Sequence, residues 1–84
     1  MDIGVEISLY PLAEVYAPQI KAFLGRLRAD ERLKVVTTSL STQVFGAYEE
    51  VLEAIGREML ATFREAGQAV FILKIVGPLA AAAP

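Results

Sequence analysis

Residues 69–76 are apolar on both sides of an extended backbone, and this constrains the fold more than any other feature of the chain. Phe71, Leu73 and Ile75 fall on one side, and Val70, Ile72 and Val76 on the other, with Lys74 interrupting the second row. A strand of this kind belongs in a sheet that is covered on both faces. The chain has only 84 residues, 55% of them apolar. A domain of this size buries a little over half of its unfolded surface. Its own helices suffice for one face of a sheet, so the second face is expected to be covered by another copy of the protein.

The rest of the chain supplies the other elements. Ile3, Val5, Ile7 and Leu9 alternate with Gly4, Glu6, Ser8 and Tyr10, which predicts a first strand over 3–10 with one buried face. Pro11 cannot donate to a sheet ladder and marks the exit. Pro18 suits the first turn of a helix, and Ile20, Phe23, Leu24 and Leu27 follow at helical spacing. The spacing predicts a first helix over 17–29, with Lys21, Arg26 and Arg28 on its wet side. Residues 33–39 and 41–45 read as second and third strands, joined by a hairpin within 37–42 that has no strong turn dipeptide. From Tyr48 the period becomes helical again. Tyr48, Val51, Leu52, Ile55, Met59, Leu60 and Phe63 form the expected buried stripe, and Gly67 is the expected stop. Phe23, Phe63 and Phe71 are read as core.

The order is βαββαβ. With right-handed crossovers it predicts an α+β, ferredoxin-like fold: a four-stranded antiparallel sheet with two helices on one face. One domain is expected over 1–77, with a flexible Ala/Pro tail over 78–84. Lys74 is expected to pair across strands with Glu6.

Composition narrows the chemistry. The sequence has no Cys, His, Trp or Asn. Disulfides, thiolate nucleophiles, imidazole ligands and Ser-His catalysis are therefore excluded. Acylphosphatase chemistry on this scaffold needs an Asn, and copper-chaperone domains need a Cys pair. Most acids are expected on exposed helix positions or in the linker over 30–32. No catalytic residue, metal ligand or cofactor is assigned. The net charge of −2 gives no attraction for a phosphate backbone. The third strand also lacks the basic and aromatic signature of an RNA-recognition motif, so no nucleic-acid partner is expected. No apolar run approaches the roughly 20 residues of a membrane span, and the opening Met-Asp is unlike a leader. A cytoplasmic protein without membrane insertion is the expectation.

What remains is small-molecule binding or a structural oligomer. Ser8, Thr38, Ser39, Ser41, Thr42 and Gln43 form a dense set of short polar side chains. Their ordinary explanation is strand preference and turn bonding. Near Tyr10, Phe45 and Tyr48 the same set suits a flat heteroaromatic ligand, which needs a π-face and neutral hydrogen bonds around its edge.

The segments Val5-Glu6-Ile7-Ser8-Leu9-Tyr10-Pro11-Leu12, Leu40-Ser41-Thr42-Gln43-Val44-Phe45-Gly46 and Ala69-Val70-Phe71-Ile72-Leu73-Lys74 follow one another in order. Together they resemble the YkoF-like thiamine/hydroxymethylpyrimidine-binding family. The resemblance covers nearly the whole chain, from about residue 5 to residue 76. It implies a ferredoxin-like domain that associates through its sheets and binds thiamine or its hydroxymethylpyrimidine half in salvage and transport. With a single repeat here, it implies a homodimer or homotetramer built through sheet faces or edges. It also implies that Tyr10 packs on the pyrimidine. Ser8, Thr38, Ser39, Ser41, Thr42 and Gln43 would then bond the edge. Which carboxylate would face a thiazolium is left open. The alternative is a structural or regulatory oligomer that binds a different metabolite or none.

Overall fold

The computed structural model describes residues 1–12, 14 and 16–80. Its elements run β1 (Asp2–Pro11), α1 (Ala17–Ala29), β2 (Lys34–Thr37), β3 (Thr42–Ala47), α2 (Tyr48–Ala66) and β4 (Ala69–Leu79). The strands form one antiparallel sheet in the order β2-β3-β1-β4. This is the ferredoxin-like arrangement expected from the element order.

The alternation of β1 carries through to packing. Ile3, Val5 and Ile7 are buried on the helix-covered face, together with Val44 of β3, Phe23 and Leu27 of α1, and Val51 and Ile55 of α2. Each such side chain stabilises the fold by about 1.5–3 kcal/mol relative to exposure. Helix α1 starts with a proline in its first turn and ends with Arg26 and Arg28, cations that favour the negative end of the helix dipole. Helix α2 opens with Glu49 and Glu50 at its positive end. It stops at Gly67, whose φ of 80° suits glycine and whose N–H donates to the Phe63 carbonyl at 3.1 Å.

Several expectations are corrected. Strand β2 is shorter than 33–39, and β3 begins at Thr42 and continues through Ala47. Strand β4 continues to Leu79, which pairs with Asp2. Proline is tolerated there because β4 is an edge strand and needs no donor on its outer side. The last part of the expected tail, 81–84, lies outside the described residues.

The buried side of α2 is also rotated from the expected stripe. Val51, Ala54, Ile55, Glu58 and Thr62 are buried, whereas Leu60 and Phe63 are exposed. Burial of the polar pair Glu58 and Thr62 is made possible by Arg26, which is turned toward α2 and not toward solvent. Its Nε donates to Glu58 Oε1 at 2.6 Å, and its Nη2 donates to Thr62 Oγ1 at 3.2 Å. The Thr62 hydroxyl in turn donates to the Glu58 carbonyl at 2.9 Å. Glu58, only 6% exposed, also accepts from Arg57 Nε at 3.0 Å. Phe63 instead covers the edge of the core, its ring meeting Phe71 edge-on at 5.4 Å. Phe23 is buried as expected, and Phe71 is half-buried against it.

Candidate functional site

The helices cover one face of the sheet, and the strand registers define the other. On β1 the open face carries Gly4, Glu6, Ser8 and Tyr10. Opposite them on β3 are Phe45 beside Gly4 and Gln43 beside Glu6. On β4, Val76, Lys74, Ile72 and Val70 face Gly4, Glu6, Ser8 and Tyr10 in turn. Val70, Ile72 and Val76 are all exposed. The doubly apolar strand of the sequence therefore has no cover on this side from any described residue of its own chain.

The open face contains a concavity of about 400 Å³, lined by Gly4, Val5, Glu6, Gln43, Phe45, Lys74, Ile75 and Val76. Its floor exists because Gly4 has no side chain. A Cβ at Gly4 would lie 2.9 Å from Phe45 Cε1, 3.0 Å from Phe45 Cδ1 and 3.4 Å from Val76 Cγ1. Glycine inside a strand commonly marks such a close approach. Here it lets the Phe45 ring come down against the β1 backbone and form one wall, with Val76 on the other side. Polar groups cluster at one end. The Gln43 amide both donates and accepts, and the Glu6 carboxylate lies 3.8 Å from Lys74 Nζ. That ion pair is loose: the side chains are 41% and 80% exposed. A second, shallower concavity of about 290 Å³ lies beyond Phe45 and is lined by Asp2, Glu31, Arg32, Leu33, Lys34, Phe45 and Gly46. Phe45 is the wall common to both.

The residues singled out from the sequence fall in three places. Ser8, Tyr10 and Gln43 lie on the open face, and of these Gln43 lines the concavity. Tyr10 is six residues along β1 from Gly4, about 20 Å in an extended strand. Thr42 pairs with Ile7 on the helix-covered face and is 7% exposed. Thr38, Ser39 and Ser41 form the β2–β3 turn. There the Thr38 Oγ1 accepts from the Leu40 and Ser41 N–H groups at 3.1 and 3.2 Å. The Thr38 N–H donates to the Ser41 carbonyl at 2.9 Å. Turn closure is therefore the immediate role of the Thr38 hydroxyl. Sequence reasoning missed Gly4 and Val76 as site residues. It also treated Glu6 and Lys74 only as a cross-strand pair, which the structure shows them to be. The one available signal was a glycine interrupting an alternating strand.

A separate charged network ties the α1–β2 connection to α2. Asp30 accepts from Arg32 Nη2 at 2.7 Å and from Arg57 Nη2 at 3.4 Å. The Arg32 side chain bonded to Asp30, with Arg57 behind it, holds that carboxyl well below the ordinary carboxylate range. The two arginines are held correspondingly high, Arg32 by Asp30 and Glu53, and Arg57 by Glu58 and Asp30. None of these groups except Arg32 touches either concavity. Among the described residues, no group of three or more Asp or Glu is placed to hold a metal ion. No described helix is long and apolar enough to cross a membrane.

No protein-family model and no curated protein matches the chain. Solved structures are similar to it. A crystal structure of a hypothetical protein from Methanocaldococcus jannascii superposes with a TM-score of 0.80 at 22% identity, over 95% of this chain and 84% of that one. Another, from Thermotoga maritima and provisionally described as a thiamine biosynthesis/salvage protein, gives a TM-score of 0.83 at 19% identity, over 93% and 85%. An X-ray structure of a Streptococcus pneumoniae protein gives 0.74 at 17% identity, over 95% and 90%. Identities at this level establish a shared fold.

Proposed function

We propose that this protein binds thiamine or its hydroxymethylpyrimidine half and holds it without chemical change, for salvage, transport or sequestration in the cytoplasm. The observation that carries this reading is the concavity over Gly4. It joins the Phe45 ring, the apolar Val76 wall and the edge amide of Gln43, with the Glu6–Lys74 ion pair alongside. Its volume of about 400 Å³ falls within the range of small-molecule sites. A flat, polar-edged heterocycle matches that combination: the ring lies against Phe45, Gln43 bonds its edge, and Ser8 and Tyr10 continue the surface along β1. Thr38, Ser39 and Ser41 belong to the β2–β3 turn and do not line the concavity, so they are not needed for this reading. The thiamine-related description of the Thermotoga maritima neighbour supports the same ligand class. The resemblance of this chain's own β1, β3 and β4 segments to a thiamine-binding family points the same way.

The exposed row Val70, Ile72 and Val76 favours a second feature of the reading, a dimer or tetramer in which another copy covers the open face. The alternative is a structural oligomer with a different metabolite or none. Thermal unfolding with thiamine and with hydroxymethylpyrimidine, at fixed protein concentration, separates the two. Ligand at about 100 times its dissociation constant adds about 2.7 kcal/mol. Each kcal/mol moves the midpoint of a domain this small by about 4–8 °C. An unmoved midpoint at millimolar concentrations of both compounds would leave the structural oligomer as the remaining reading.

A further inference from the structure

We infer that the concavity over Gly4 selects by charge. Glu6 receives a cationic heteroaromatic ring, such as a thiazolium, and Lys74 is a displaceable counter-ion that occupies Glu6 until that ring arrives. This inference rests on the ligand class proposed above and names the carboxylate that the sequence left open.

Three observations lead to it. Among the described residues, Glu6 is the one carboxylate lining the concavity, and it projects from β1, a strand hydrogen-bonded on both sides by β3 and β4. The sheet therefore fixes its backbone and the face from which its carboxylate projects. Phe45 lines the same space, so a cation held beside Glu6 also lies near an aromatic ring, an arrangement that stabilises positive charge. The existing partner of Glu6 is poorly held. Lys74 reaches it at 3.8 Å, near the limit of an ion pair, from a side chain that is 80% exposed. Pairs of that kind contribute little, and a lysine stem returns to water at small cost. A permanently charged ring has no proton to give up and replaces the ammonium one for one. The charge count at the site is then conserved while Lys74 is rehydrated. A neutral ring of similar shape gains none of this and has only the apolar wall and the Gln43 amide.

The two charged residues accordingly have opposite signs of effect on a cationic ligand. Isothermal titration at neutral pH, where the aminopyrimidine is uncharged and the thiazolium ring is intact, reads this with two probes, thiamine and hydroxymethylpyrimidine. Glu6→Gln is expected to weaken thiamine about fivefold and to leave hydroxymethylpyrimidine within about twofold. Lys74→Met is expected to tighten thiamine by about two- to threefold, again without effect on the neutral probe. Glu6 is half-buried and Lys74 exposed, and unchanged unfolding midpoints of the unliganded variants verify that the fold is intact. Equal weakening of both probes by Glu6→Gln would overturn the inference, as would weaker thiamine binding in Lys74→Met. A wild-type protein that binds both probes, with variants that behave identically, would refute charge selection and leave the ligand class standing. A wild-type protein that binds neither would refute the ligand class, and charge selection with it.

Discussion

Replacing Gly4 by alanine tests the concavity with a single methyl group. The added Cβ would lie 2.9 Å from Phe45 Cε1 and 3.4 Å from Val76 Cγ1. Carbon atoms prefer separations of about 3.5–4.0 Å, so the Phe45 ring has to retreat by roughly half an ångström or more. The ring is the outer end of a half-buried side chain on the open face, and its displacement of about 30° in χ costs about 0.5–1.5 kcal/mol. Against this, alanine in a strand avoids about 0.5–1 kcal/mol of the backbone entropy that glycine loses on folding. The two contributions nearly cancel. Stability is expected to change by no more than about 1 kcal/mol, which moves the unfolding midpoint by no more than about 4–8 °C. Binding has no such compensation. The methyl fills the floor of the site and pushes away the ring that a heterocycle would stack on, a contact of about 0.5–1.5 kcal/mol before any steric clash is counted. Thiamine affinity is expected to fall about tenfold, or about 1.4 kcal/mol. Titration calorimetry on wild type and variant, with the midpoints measured in parallel, gives both quantities. An affinity unchanged by Gly4→Ala would remove this concavity as the binding site. A midpoint lowered by far more than the stated range would show that Phe45 is locked in place.

Other perturbations have equally definite outcomes. Phe45→Leu is expected to weaken thiamine more than Tyr10→Ala does, and titration of both variants that gave the reverse order would move the ring to the turn end of β1. Glu58→Ala removes the buried acceptor of Arg26 and Arg57 and is expected to cost about 2 kcal/mol, measured by urea unfolding; a loss below about 0.5 kcal/mol would mean that the helices do not depend on this pair. Asp30→Asn is expected to destabilise at neutral pH. Because the folded-state pKa of Asp30 is depressed, its contribution is complete above the unfolded value, near 4, and disappears as pH falls through the lower folded value, so the gap between wild type and variant should close on acidification. A gap of constant size across that range would exclude ionisation of Asp30 as its source. Ile72→Glu places a charge amid the open apolar row and is expected to shift the protein to monomer in analytical ultracentrifugation and to lower its unfolding midpoint, because the stabilisation from the partner copy is lost; wild-type protein already monomeric at micromolar concentration would refute the covered face.

Much of the fold was legible because several of its boundaries are written in local chemistry. Helix α1 occupies the span that its proline and apolar spacing predict. Helix α2 ends at the glycine that can adopt a positive φ. The β2–β3 hairpin was less legible because Val, Thr and Ser favour strands and no dipeptide fixes the turn. A one-residue offset in a strand exchanges its faces, and so the side chain of Thr42 lies under the helices while Gln43 lies outside. The burial of Glu58 depends on Arg26, 32 positions away, and no local pattern carries that information. The concavity is of the same kind. Gly4 is visible as an interruption in a strand, but its consequence depends on Phe45 arriving beside it from β3.

These observations separate the requirements of folding from those of the open face. The helix layer is held by the buried apolar core and by the arginine–carboxylate links of Arg26, Arg32 and Arg57. None of the buried core side chains projects onto the open face. Substitutions there leave the core packing intact and act on what the face touches. Surface positions of this kind usually change stability by less than about 0.5 kcal/mol. A loss of binding after a change at Glu6, Gln43 or Lys74 can therefore be read as a change in the site. Gly4 is where the two requirements meet. It weakens β1 as any glycine weakens a strand, and the same missing side chain is what opens the concavity. An alanine there would meet Phe45 and Val76, so the close approach of those two side chains is what the glycine permits.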